Sequence, residues 1–224
     1  GIGVMVCPNA KGIKKISTFS HGLGCGIGGI GVMIINGEVD IDAERYTQGV
    51  GTFGLGLFEA NGNNSHFNAV RSGQGLGLVK GLGIFKYAGD KSTITGGLVE
   101  PDPREQNGSL SLCQGVGFGP RAYAGGGVGM ALIQGNENTV VGSYFAQGTG
   151  YWHSAGVFYI EGNKNKIQGR RYTQGTGVHS AFGHFRLKGD ENSLVNWGVG
   201  PAYGWDRSVG TALVLGSSNT FQTD

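Results

Sequence analysis

One irregular stretch of the chain, residues 98–125, contains charged and aromatic side chains that could bind a ligand. It contains two loop-like segments, 98–108 and 118–125, which interrupt an otherwise regular pattern. Insertions in a repeat protein map to loops on one face. We therefore expect these two loops to be neighbours and either to form any ligand site or to be mobile surface loops without one. The candidate ligand-binding residues are Asp102, Arg104, Glu105, Arg121 and Tyr123.

Acidic and basic residues elsewhere give two weaker patterns. Glycoside hydrolases need two carboxyl groups across the scissile bond, and lyases need a base together with a cation that neutralises the uronate. Asp40 and Asp42 would lie on one strand face about 7 Å apart, which fits an inverting pair and equally a solvated strand edge. Three arginines, each three residues before a glutamine–glycine pair, form a column that could hold an acidic glycan. They are Arg45, Arg71 and Arg171.

Two short patterns match motifs that bind phosphate or calcium, but the residues around them do not fit either ligand. Residues 26–31 match the dinucleotide fingerprint, but a strand and a turn follow where that motif requires a helix. The repeated turns are similar to calcium-binding glycine-rich nonapeptides, yet only Asp90 and Asp190 are acidic at that column. Neutral amides alone bind calcium poorly.

Three histidines, His153, His179 and His184, are predicted to lie near one wall, since Trp152 and His179 follow equivalent glutamines at the same distance. Such a group could hold a metal or act as acid and base, or the imidazoles could be hydrogen-bonded structural groups. We assign no catalytic, cofactor-binding or metal-binding residue from the sequence, and we expect no cofactor.

Composition narrows the function classes. Of the 224 residues, 47 are glycine and 38% are hydrophobic, without the strict triplet of collagen and with apolar runs that argue against disorder. The net charge of +2 and the lack of a basic stripe predict no nucleic-acid partner. The longest apolar stretch, 22–35, is too short and glycine-rich to span a bilayer. Three unevenly spaced cysteines predict neither a disulfide framework nor a zinc site.

Two short phrases recur along the chain and predict its architecture. One is a glycine, two mostly polar residues and an asparagine or serine before a β-prone run; the other is glutamine–glycine–any residue–glycine. The first phrase recurs every 27 residues except for one interval of 46, and a fixed period in this range is typical of a solenoid. The phrases begin at Gly62, Gly89, Gly135, Gly162, Gly189 and Gly216, and at Gln48, Gln74, Gln114, Gln147 and Gln174.

Each repeat divides into three short strands and three turns. Parallel coils would place equivalent residues about 4.8 Å apart, so that identical side chains stack in columns. A propeller blade needs four strands and usually about forty residues, which argues against that fold. The predicted columns are an asparagine ladder (Asn138, Asn165, Asn192, Asn219) and an aromatic column (Tyr46, Phe145, Tyr172).

The segments 89–96, 135–142 and 162–169 resemble the turn-and-strand repeats of the right-handed parallel β-helix family. The resemblance runs from about residue 20 to residue 224. It implies an all-β fold, a parallel right-handed β-helix (β-solenoid) of about seven coils of roughly 27 residues. We expect a single β-solenoid domain over 1–224, with loop excursions over 98–125. The glutamine phrase is also similar to glycine-rich repeats of uncharacterised bacterial secreted proteins.

Two functions stay open at this point. The first is a non-enzymatic, secreted or cell-surface structural module that packs against itself or other surface proteins, up to filaments, because glycine-rich walls allow close approach. The chain begins with glycine in mid-repeat, which predicts a processed form or part of a longer chain with stackable ends. The alternative, implied by the family resemblance, is a polysaccharide lyase or glycoside hydrolase, or a glycan-binding module. The threonines are too few for an ice-binding surface.

Overall fold

Parallel strands stacked coil upon coil make up the described part of the chain. The computed structural model describes residues 1–10, 15–97, 101–102 and 105–223, with the backbone alone over 101–102 and 105–108. Every regular element in these ranges is a strand. None of the described residues belongs to a helix that could cross a membrane. The predicted all-β solenoid is confirmed.

The first long side of the solenoid, face A, is an eight-stranded parallel sheet. Its strands pair in strict register, so that each residue lies beside its equivalent in the next coil. Numbered along the chain, the strands of face A are β1 (Ile2–Cys7), β4 (Ile30–Asn36), β7 (Leu55–Asn61), β9 (Leu82–Ala88), β14 (Val128–Gln134), β18 (Ala155–Glu161), β21 (Phe182–Lys188) and β24 (Val209–Leu215).

The second long side, face B, is also an eight-stranded parallel sheet. Its strands follow those of face A after the turn that carries the first repeat phrase. They are β2 (Lys15–Ser20), β5 (Asp40–Thr47), β8 (His66–Gly73), β10 (Thr93–Gly96), β15 (Thr139–Gly142), β19 (Lys166–Gly169), β22 (Ser193–Asn196) and β25 (Thr220–Thr223).

A short third side, face C, closes each coil and contains the glutamine phrase. Gly77 bridges the strands Gly51–Thr52 and Gly117–Phe118 and makes the ladder continuous. In the first excursion, the strand Pro101–Asp102 pairs antiparallel with Glu105–Cys113, which then runs parallel to Tyr144–Ala146. Face C contains β3 (Gly26–Ile27), β6 (Gly51–Thr52), β13 (Gly117–Phe118), β17 (Gly150–Tyr151), β20 (Gly177–Val178) and β23 (Gly204–Trp205); the excursion sheet contains β11 (Pro101–Asp102), β12 (Glu105–Cys113) and β16 (Tyr144–Ala146).

The number of coils differs from the expected seven. Faces A and B each contain eight described strands, so the solenoid has about eight coils. The additional coil is the first one, β1 and β2, which carries neither repeat phrase in full and so escapes a count of phrases. The right-handed sense of the coil stays a prediction.

Hydrophobic side chains fill the space between faces A and B. Phe58 stacks on Phe85, and Phe158 on Phe185, with ring centroids 5.6 and 5.3 Å apart. A second, smaller cluster lies between face C and the corner that joins it to face B. Cys113 is fully buried, and burial raises the pKa of its thiol to about 12, so it is an unreactive core residue.

Glycine columns allow faces A and C to meet backbone to backbone. A side chain at Gly156 of face A would collide with the Thr149 carbonyl of face C, and one at Gly150 would collide with the Phe182 carbonyl. The equivalent glycines of other coils meet equivalent carbonyls, from Gly31 to Gly210 along face A. The high glycine content therefore follows from a close approach of two sheets.

The asparagine ladder is confirmed, with a bonding pattern that includes the backbone. The side-chain oxygen of Asn165 accepts the backbone N–H of Asn138 at 2.9 Å, and Asn192 accepts that of Asn165 at 2.8 Å. Serines continue the column, since the Ser65 N–H donates to the Ser92 hydroxyl at 2.8 Å. Each buried turn therefore has a donor satisfied by the next coil.

The repeated glutamines have a structural role of the same kind. Each is fully buried and donates from its amide nitrogen to a face B carbonyl one coil further on, as Gln147 does to Gln168 at 2.8 Å. In the aromatic column, Phe145 stacks on Tyr172 at 5.2 Å, whereas Tyr46 stacks instead on His21 at 5.0 Å. In the two coils between Tyr46 and Phe145, the equivalent residues are Ser72 and Leu112, so the aromatic column is interrupted there.

We predict that Gly156→Ala lowers the unfolding free energy by about 1–3 kcal/mol or more, because the methyl group would force faces A and C apart. The matched control is Gly3→Ala, in the same column of face A, where a methyl group would meet nothing within 4 Å. Urea unfolding followed by circular dichroism measures both. Equal midpoints for the two variants would contradict the role assigned to the glycine column.

Candidate functional site

The sequence-predicted site is divided between two corners of the coil. Asp102 and Glu105 are partners in the β11–β12 hairpin, at the corner between faces B and C. Their side chains, and the whole of Arg104, lie outside the described residues. The second excursion, 118–125, leaves at the corner between faces C and A. A single site made from both loops stays a prediction.

Arg121 and Tyr123 of the second excursion have different surroundings. The Arg121 guanidinium carbon lies 5.5 Å from the centroid of the Trp152 ring, in cation–π geometry. Tyr123 is 89% exposed and projects from the loop. Arg121 therefore joins a cluster that the sequence analysis did not identify, the corner where face C returns to face A.

This C–A corner aligns three functional side chains in consecutive coils. Backbone hydrogen bonds from Trp152 N to Val178 O (3.0 Å) and from His179 N to Trp205 O (3.1 Å) set the register. Trp152, His179 and Asp206 consequently stack 27 residues apart, and the rings of Trp152 and His179 are 5.7 Å apart. The sequence already aligned Trp152 with His179 at the same distance from their glutamines, and the same 27-residue period extends the column to Asp206.

His179 and Asp206 form the strongest polar contact of the corner. The His179 Nδ1 lies 2.6 Å from the Asp206 Oδ2, with the histidine buried and the carboxylate about half exposed. This hydrogen bond lowers the pKa of Asp206 below its ordinary value. Trp205, 50% exposed, lies beside His179 with its ring centroid 5.7 Å away. The corner thus combines indole rings, the Arg121 guanidinium and a carboxylate, Asp206, whose pKa is lowered.

An open groove of about 740 Å³ runs along the corner across several coils. Glycine and alanine line much of its floor, and cationic or ionisable side chains line its rim, among them Lys80, His153 and Arg207. Small residues leave space, while the rim supplies charge. The groove could accept an extended, weakly anionic ligand that lies along the solenoid axis.

The three histidines singled out in the sequence do not form one site. His179 binds Asp206, whereas His184 lies on the outer side of face A with its Nδ1 2.8 Å from the Thr211 hydroxyl. His153 is exposed on the groove rim. Across the described residues, no group of three or more His, Cys, Asp or Glu side chains could hold a metal ion.

The predicted Asp40–Asp42 pair and the predicted column of Arg45, Arg71 and Arg171 have separate surroundings in the structure. Asp42 accepts a hydrogen bond from the Asn68 amide at 2.9 Å, as part of a polar ladder on the outer side of face B. Arg45 and Arg71 are partners in register. Arg171 instead bridges to Tyr144 and lies over the Tyr172 ring, so the predicted arginine column is interrupted.

The outer side of face A is a surface that the sequence analysis did not identify. Three outward columns cross the sheet, and most of their members are aliphatic or aromatic: Ile30, Leu55, Leu82, Val128, Ala155, Phe182 and Val209 in the first column; Val32, Leu57, Ile84, Met130, Val157, His184 and Thr211 in the second; Ile34, Glu59, Lys86, Leu132, Tyr159, Arg186 and Leu213 in the third.

The signal for this surface was present in the strands themselves. Runs such as Val128–Gln134 are apolar at inward and outward positions alike, a pattern typical of sheets covered on both sides. Here one side packs on the core, and the other faces solvent with Val128 and Phe182 40% and 41% exposed. Unlike the B strands, the A strands therefore carry more hydrophobic surface than the fold itself uses.

We predict that His179→Leu raises the pKa of Asp206 toward the ordinary carboxyl value, because the hydrogen bond that lowers it is lost. In the native protein, this contact stabilises the fold above the ordinary carboxyl pKa and is lost as pH falls through the lowered one. Carboxyl-carbon NMR titration measures the change. Asp190, whose pKa is lowered by hydrogen bonds from Ser217, is the internal control and should not move. An unchanged Asp206 would refute the pairing.

Comparisons with known proteins add no relative to this description. No family model, no curated protein and no solved structure matches the chain. The parallel β-solenoid fold therefore stands on strand pairing and register, and function is argued from the two surfaces described above.

Proposed function

We propose that this chain is a secreted or cell-surface structural β-solenoid module that packs against copies of itself or against partner chains. The observation that carries the proposal is the outer side of face A. Its three mostly apolar columns extend over strands about 4.8 Å apart, a contiguous patch of several hundred Å². Patches of that size on soluble proteins mark interaction surfaces.

The shape of face A supports a packing role. Its strands are in register from β1 to β24, so the outward side chains form straight rows on a regular sheet. Sheets with apolar outer sides pack face to face about 10 Å apart. A low proportion of charged residues, 14%, leaves little repulsion to overcome. The resemblance of the glutamine phrase to repeats of secreted proteins supports the proposed location.

We predict that the purified chain sediments with a mass above 23.2 kDa, rising with concentration, because burial of face A is favourable. Sedimentation velocity across a concentration series measures the mass, and negative-stain electron microscopy shows whether the assemblies are discrete or filamentous. A monomer at every concentration would rule out packing against itself as the role.

The C–A corner favours a second candidate function, a glycan-binding module or an enzyme acting on polysaccharide. Indole rings such as Trp152 and Trp205 can stack on sugar rings, and Arg121 and Arg207 can pair with acidic substituents. The neighbouring groove, which Arg207 lines, extends over several coils, as an extended chain would require. Among the side chains that the structure describes, Asp206 is the one carboxylate in this cluster, so binding has more support than hydrolysis.

For this second candidate we predict that Trp152→Ala weakens binding of a uronate-containing oligosaccharide at least about fivefold, corresponding to roughly 1 kcal/mol of lost stacking. Trp197→Ala is the matched control. The guanidinium carbon of Arg170 lies 6.0 Å from the Trp197 ring centroid, as in the Arg121–Trp152 contact, but Trp197 is at another corner. Isothermal titration calorimetry measures both. Equal losses for the two variants, or no binding by the native chain, would reject the corner as a glycan site.

A further inference from the structure

We infer that the outer side of face A binds a second copy of this chain as an antiparallel, two-fold symmetric pair centred on β14. The inference rests on the proposed packing function and specifies its partner, its orientation and its central residues. Three features carry it: the area of the apolar columns, the order of charges along their edge, and the apolar side chains that face each other across the pair.

The area is sufficient for a specific interface. A pair centred on the fifth of the eight strands overlaps over seven of them. With strands about 4.8 Å apart and outward residues about 6.8 Å apart, the overlap covers on the order of 700 Å² on each copy. Standard interfaces bury about 800 Å² per partner. Face A therefore offers nearly the area that a stable dimer needs.

Charged residues on this face are confined to one edge, in the third outward column and at the strand ends. Glu59 and Lys86 in β7 and β9 pair at 3.0 Å, and Glu161 and Lys188 in β18 and β21 pair at 2.6 Å. Arg186, also in β21, lies 5.1 Å from the Tyr159 ring centroid. Along the solenoid axis the signs run negative, positive, neutral at β14, negative, positive.

Reversing the order of the strands places each strand that carries a negative charge opposite a strand that carries a positive charge. A two-fold axis parallel to the strands and passing through β14 brings β7 opposite β21 of the second copy, and β9 opposite β18. Glu59 then faces Arg186, and Lys86 faces Tyr159, two residues before Glu161. Glu59 and Arg186, which face each other directly, carry opposite signs, and this pairing favours the orientation.

Other two-fold arrangements lack this complementarity. An axis parallel to the solenoid reverses the strands, so that the third column of one copy faces the first column of the other. Glu59 would then be buried against Leu55, and Arg186 against Phe182. Burying Arg186 and the Glu59–Lys86 pair against apolar side chains, without an opposite charge across the interface, is costly. Moving the axis between β9 and β14 would place Arg186 opposite Ile34, with no acidic partner.

Apolar side chains also face each other in the antiparallel pair. Ala155 lies opposite Leu82, and Phe182 lies opposite Leu55. At the centre, Val128, Met130 and Leu132 of β14 meet their own copies, in an apolar row without charge. Such an isologous contact closes on itself and yields a dimer of defined mass.

The first test is Leu132→Glu, which places two carboxylates together at the two-fold axis. We expect the dissociation constant of the dimer, measured by sedimentation equilibrium, to rise at least about 100-fold, because both charges would be buried in apolar surroundings. The matched control is Val141→Glu in β15, on the same coil but on the outer side of face B, which should leave the constant unchanged. Circular dichroism confirms that both variants fold.

The second test addresses orientation by a double-mutant cycle with Glu59→Gln and Arg186→Gln. Each single change should weaken the dimer about threefold to tenfold, and the double change should weaken it by less than their product, because the two residues face each other across the pair. Additive effects would overturn the antiparallel arrangement. Unlimited growth in mass, without a dimer end point, would overturn it as well.

The outcomes separate this inference from the proposed function on which it rests. A native chain that assembles while Leu132→Glu assembles equally well would refute the face A dimer and leave packing in place. A native chain that stays monomeric at all concentrations would refute self-packing altogether. A dimer lost in Leu132→Glu, kept in Val141→Glu and coupled through Glu59 and Arg186 would establish the inference.

Discussion

The close contact between the backbones of faces A and C is the constraint on which the rest of this structure depends. Glycines on both sides remove the side chains that would otherwise separate the two sheets. The glutamine phrase belongs to this contact, since Gly175 at φ 82° turns the chain where its partner strand presents a carbonyl. The coil is consequently narrow at this end and wide at the other, where paired phenylalanines fill the space between faces A and B.

Because the coils stack in register, the same hydrogen bonds recur from one coil to the next. A buried turn cannot satisfy all of its own polar groups, so the asparagine and serine column accepts a backbone N–H from the neighbouring coil. The buried glutamines bond across coils in the same way. These contacts hold the register, and register is what converts a 27-residue spacing into straight rows on the surface.

The two candidate surfaces are both consequences of that register. Rows of outward side chains on face A are straight because β7, β9, β14, β18 and β21 pair without slippage. Trp152, His179 and Asp206 meet for the same reason, although the chain separates them by a full coil each time. One surface is apolar and broad, and the other is aromatic, cationic and narrow. They lie beside each other, since the C–A corner leads directly into face A.

The sequence by itself determined the class of fold, its period and the residues of its ladders. Identical short phrases at a fixed spacing admit few structures other than stacked parallel coils. Residues equivalent to Asn165 and Gln147 occur in several coils because each of these coils makes the same turn at that point. Only the tertiary structure decided which side of each strand faces the core. The A strands are apolar at both alternate positions, so no sequence pattern could distinguish Met130, which faces solvent, from Ala131, which is buried. The C–A corner also needed the tertiary structure: the 27-residue period aligns Trp152, His179 and Asp206, but only the stacked coils show that Arg121 of the second excursion lies over Trp152.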